Sequence, residues 1–83
     1  MTLHVLINPA RATLAKAVMT PQDTLILGGA AIVLAQSPFP AQKLFALATD
    51  CAHWGFSLPD GVTALTDAEW TDHAAAAERI IHW

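Results

Sequence analysis

Four short apolar runs constrain this 83-residue chain more than any other feature: Leu3–Ile7 (LHVLI), Thr24–Leu27 (TLIL), Lys43–Ala48 (KLFALA) and Val62–Leu65 (VTAL). None shows the sustained apolar–polar alternation of a strand with one wet face. Near-continuous apolar strands belong to parallel sheets covered on both sides. The stretches between them are helix-compatible. From Ala10, Leu14, Ala17 and Val18 share one helical face, with Arg11 and Lys16 elsewhere, until Thr20-Pro21-Gln22-Asp23 breaks the helix. Gly28-Gly29 ends the second run; periodicity leaves Ala30–Ala35 open between a short helix and extended chain. Two prolines make Ser37-Pro38-Phe39-Pro40 a loop.

The second half of the chain carries clearer punctuation. Thr49 is placed to cap a short helix through Trp54, with Gly55 as its left-handed stop. Thr66-Asp67-Ala68-Glu69 spells a capping box, in which threonine and glutamate side chains satisfy each other's backbone amides. The helix it opens carries Trp70, Ala74, Ala77 and Ile81 as an inward stripe. Asp67, Glu69 and Asp72 sit near its positive end, and Arg79 and His82 near its negative end. The expectation is one α/β domain over residues 1–83. It has Rossmann-like layering, with a mostly parallel sheet of about four strands flanked by helices.

Composition narrows the function classes. Apolar residues make up 54% of the chain and charged ones 13%, more apolar surface than so small a fold easily hides. A surplus of that kind marks a partner surface, so a subunit is expected in place of a solitary monomer. Arg11, Lys16, Lys43 and Arg79 are the only Lys and Arg residues, scattered in a chain of formal charge −3. Phosphate backbones are held by clustered cations, so direct nucleic-acid binding is not expected. The longest apolar run, Leu25–Ala35, falls well short of the ~20 residues of a membrane helix. With no signal-peptide pattern at the start, the expectation is a soluble, cytoplasmic protein with no membrane partner.

Few residues invite chemistry. Cys51, the only cysteine, rules out an internal disulfide and a multi-cysteine zinc site. Near a helix start its thiol would gain acidity from the amide dipoles, yet Asp50 is adjacent and no cation is nearby. Cys51 is therefore read as a small structural residue, with a persulfide carrier as the alternative. Cys51 and His53 are two positions apart on a helix and diverge, so no metal site is expected there. Gly28-Gly29 lacks the further glycines or the Lys-Ser/Thr of a phosphate loop and reads as a tight turn. No cofactor is expected. Trp70 and Trp83 are the candidate partner contacts, since tryptophan is enriched among interface anchors.

Three stretches, in order, resemble the TusB/DsrH family, the small subunits of sulfur-relay complexes. They are Leu3-His4 with Asn8-Pro9; Leu47-Ala48-Thr49-Asp50 with Gly55-Phe56; and Val62 through Asp67, Trp70 and Asp72 to Trp83. The resemblance implies a DsrE/F/H-like fold and a hetero-oligomer with TusC/DsrF-type and TusD/DsrE-type subunits. In the tRNA-modifying version the complex passes persulfide sulfur toward 2-thiouridine at the wobble position; in sulfur-oxidising bacteria a related complex trafficks sulfur. In both, the principal sulfur-bearing cysteine belongs to the E/D-type subunit. The chain departs from the pattern at Gly28-Gly29, where Asp-Gly is usual, and at Cys51, where the family usually has an apolar residue. Its first helix, Thr13–Val18, lacks the cysteine found in some DsrH members. The implied function is a non-catalytic subunit of a sulfurtransferase complex serving tRNA thiolation. The alternatives are persulfide carriage by Cys51, a DsrH-like role in dissimilatory sulfur oxidation, and an unrelated α/β homo-oligomeric binding module.

Overall fold

The computed structural model describes residues 2–55 and 57–83. Phe56, the hydrophobic neighbour of Gly55 in the second family-like stretch, lies outside them. The apolar runs are strands: β1 (Thr2–Leu6), β2 (Thr24–Leu27), β3 (Lys43–Leu47) and β4 (Val62–Leu65). A fifth, β5 (Arg79–His82), follows the last helix. All neighbours pair in parallel, in the order β4-β3-β2-β1-β5. The helices are α1 (Ala12–Val18), α2 (Ala48–Trp54) and α3 (Asp67–Ala76). Gly29–Leu34 is a 3₁₀ segment, which resolves the stretch that periodicity left open.

Parallel pairing forces every connection to cross from one end of the sheet to the other. The first three crossovers step from β1 to β4, and the fourth returns past β1 to β5. Because such crossovers are right-handed, the reversal puts α3 on the opposite face from the others. The core divides accordingly. Leu6, Leu25, Leu27 and Ala46 meet Ala15 and Met19 from α1 and its end, and Ala31 and Ile32 from the 3₁₀ segment. On the other face Leu3, Val5, Ile26 and Leu65 meet Trp70, Ala74 and Ala77. Leu25 and Leu27 are fully buried, and truncating either to alanine would cost about 2–5 kcal/mol.

One local expectation is made specific and two are corrected. Leu14, Ala17 and Val18 do share a side of α1, but that side is exposed, while Ala15 and Met19 face the sheet. The small Ala15 side chain lets the helix backbone approach closely. Thr49 does not cap α2: the helix begins at Ala48, with Leu47 at the N-cap position and no side-chain cap. The last helix stops at Ala76, where Ala77 turns extended (φ −76°, ψ 139°). Ile81, Arg79 and His82 therefore belong to β5, with Ile81 opposite His4. Gly55 is left-handed (φ 61°), and the Thr66–Glu69 capping box is formed in both directions.

Candidate functional site

Chemistry in an open parallel sheet concentrates where strands deliver their C-terminal ends, near the point where strand order reverses. Here that end gathers Ile7 and Asn8 after β1, Gly28-Gly29 after β2, and Ala48–Cys51 after β3. Asp50 reaches across from α2 to accept the Gly29 amide at 2.8 Å. Gly28 is conformationally ordinary (φ −143°) and is required by space. A Cβ there would lie 2.7 Å from Ile7 Cδ1, 2.9 Å from Leu47 Cδ1 and 3.2 Å from Asp50 Oδ2. Gly29 adopts φ 52°, a left-handed conformation that favours glycine. The double glycine is thus a tight junction sealed by Asp50, and its Gly29 amide is already spent on that carboxylate.

Cys51 lies half-buried on the sheet side of α2, packed against the first core. Desolvation, followed by the charge of neighbouring Asp50, pushes its thiol above the usual range. The thiolate, which is the nucleophilic form, is correspondingly disfavoured. Helix position alone suggested the opposite tendency; the adjacent carboxylate and the burial outweigh it. His53 is exposed on the far side of α2 and packs edge-on against Trp54, with ring centroids 5.7 Å apart. Cys51 and His53 do not converge. Among the described residues no group of three His, Cys, Asp or Glu side chains is placed to hold a metal ion, and no pocket forms.

The structure also joins three residues that sequence reasoning left apart. Trp83 Nε1–H donates to His4 Nδ1 at 3.1 Å, and His4 Nε2 lies 3.0 Å from Asp23 Oδ2. An indole N–H can only donate, so His4 Nδ1 is the acceptor, and Nε2 carries the proton that goes to Asp23. Asp23 also accepts the amides of Thr2 (Oδ1, 3.2 Å) and Thr20 (Oδ2, 3.0 Å). Burial raises the carboxyl's pKa, but the bonds from His4, Thr20 and Thr2 outweigh it and hold the group at about 2. The relay ties Trp83 and the end of α1 to the start of β1. Its sequence signal was a polar residue, His4, inside an otherwise apolar strand, together with Asp23 directly before β2.

The candidate partner contacts separate by exposure. Trp70 is half-buried on the second core, and Trp83 is half-buried, with its indole on His4 and the first core. Trp54, at the end of α2, is the exposed tryptophan, 51% accessible. Leu14 (55%) and Val18 (54%) on α1 are more open still, with Val33, Ile7 and Ile80 also exposed. No helix among the described residues is long and apolar enough to cross a membrane.

These features define a class: a small α/β domain with a five-strand, all-parallel sheet, helices on both faces and large apolar side chains left outside. No protein-family model matches the sequence, and no curated protein matches it.

Proposed function

We propose that this chain is a TusB-like, non-catalytic subunit of a cytoplasmic sulfurtransferase complex. In this reading it supports 2-thiouridine formation at the tRNA wobble position, assembled with TusC/DsrF-type and TusD/DsrE-type subunits. The observation that carries the reading is the exposed apolar surface: Leu14, Val18, Val33, Trp54, Ile7 and Ile80 stand open on a domain of 83 residues. Leu14 and Val18 lie one turn apart and open to solvent side by side on α1, and large apolar side chains grouped in this way mark a partner surface. The state of Cys51 supports a non-catalytic role. Its thiol is half-buried, raised in pKa and flanked by a carboxylate, so the sulfur-bearing cysteine is assigned to a partner.

The test is the 2-thiouridine content of cellular tRNA. Deleting the gene should deplete it, and a Cys51→Ser copy should restore it as fully as the wild type. Failure of Cys51→Ser to restore thiolation would move the sulfur onto this chain. Deletion without effect on thiolation would remove the tRNA role and leave sulfur oxidation, or a binding function outside sulfur chemistry, as the reading to pursue.

A further inference from the structure

The sheet is one strand wider than its helical cover on the α1 face. On that face α1, the 3₁₀ segment and α2 serve the crossovers from β1 to β4, whereas α3, which leads to β5, lies on the other face. Among the described residues no helix therefore lies over β5 beside α1. The floor of this vacant berth is Ile81, which shares a face with its register partner His4, and the half-buried Trp83. Its wall is the outer flank of α1. Lys16 stands 4.8 Å from the centroid of Phe39, in the loop before β3, so that flank of α1 faces β3. Arg11, Leu14 and Val18 lie on the other side of the inward-facing Ala12–Ala15–Met19 line, and so face β5.

We infer that this berth is the docking site of a partner subunit's amphipathic helix, apolar where it meets Leu14, Val18 and Trp83 and acidic along its border. Arg11, Leu14 and Val18 are spaced three and four residues apart, a stripe about two helical turns long. The charge of the occupant follows from the charge of the wall. Arg11 is the charged residue of this wall, α1 and the turn before it carry no acid, and among the described residues Arg11 has no ion-pair partner. A second copy docking α1 against α1 would bring cations together. A second copy offering α3 would bring acids, but its exposed apolar side chains are only Ala68, Ala75 and Ala76. A different chain, carrying both large apolar and acidic side chains, satisfies both demands.

The inference rests on the reading of this chain as a complex subunit, and the experiment separates the two. The tagged full chain is co-expressed with the DsrE- and DsrF-type subunits of the same genome, and recovery of the complex is compared among variants. Leu14→Asp/Val18→Asp should lower recovery at least about tenfold, because it puts two charges into an apolar contact. Arg11→Glu should lower it several-fold, with the loss growing at low salt, and Ala75→Asp on the outer side of α3 should leave it unchanged. Leu14 and Val18 are exposed, so the double variant should keep the wild-type circular dichroism and urea midpoint. Recovery of the double variant equal to wild type overturns the docking site and leaves the subunit reading standing. A loss with the double variant but none with Arg11→Glu overturns the acidic occupant, and an equal loss with Ala75→Asp overturns the placement. A wild-type homodimer dispersed by the double variant makes a second copy the occupant. Recovery of no partner by the wild type overturns both readings.

Discussion

Asp23→Asn tests the internal logic of the fold most sharply, because it keeps the side chain's shape and removes its charge. Asp23 accepts three hydrogen bonds, from the Thr2 and Thr20 amides and from His4 Nε2–H. Asparagine offers one oxygen in place of two, so in either orientation its NH2 confronts at least one of these donors. Holding the carboxyl at about 2 in place of its ordinary 3.8 corresponds to about 2 kcal/mol of stability. The folded pKa lies below the unfolded one, so the contribution is present in full above ~pH 5 and disappears as pH falls through about 4 to about 2. Urea unfolding followed by circular dichroism at pH 7 should place the variant's midpoint about 2 M below wild type, at a slope near 1 kcal/mol/M. The stability difference should shrink to about half by pH 3. Equal midpoints at pH 7, or a difference that does not narrow between pH 5 and pH 3, would refute the reasoning.

Six further outcomes follow from the local geometry. Nitrogen-15 NMR of His4 at neutral pH should show Nε2 protonated and Nδ1 bare. Trp83→Phe, which strips Nδ1 of its donor, should lower stability by about 1–3 kcal/mol in a urea titration. Gly28→Ala should cost about 1–3 kcal/mol by crowding Ile7 and Leu47. Gly55→Ala, whose Cβ would meet nothing within 4 Å among the described residues beyond its neighbours in sequence but whose φ is 61°, should cost about 1–2 kcal/mol through backbone strain. Thr66→Ala should destabilise by about 0.5–2 kcal/mol in thermal unfolding, since it opens the capping box. Cys51 should react with iodoacetamide at pH 7 more slowly than a free cysteine does, and urea should restore the rate.

Much of this fold was legible because parallel strands leave a blunt signature. The apolar runs of β1 and β2 are buried on both faces, those of β3 and the edge strand β4 only in part, and a glycine or proline lies near one end of each. β5 was hidden by coincidence: Ile81 falls four residues after Ala77 and continues a helical stripe, and neither glycine nor proline stops α3. Its one signal was the pair Ile80-Ile81, two β-branched residues better suited to a strand than to a helix end. The α1 stripe was visible in the sequence, but periodicity cannot say whether an apolar flank faces a core or a partner. The side facing the sheet was decided by Ala15, whose small size permits close packing. The Trp83–His4–Asp23 relay was beyond sequence reasoning because Trp83 and His4 are brought together only by β5.

The central claim is that this chain works as one subunit of a larger assembly. Native mass spectrometry of the tagged full chain, purified after co-expression with its two proposed partner subunits, tests it directly. The account predicts a single species whose mass contains all three chains, formed equally by Cys51→Ser. A monomer of the tagged chain alone, with neither partner retained, would contradict it.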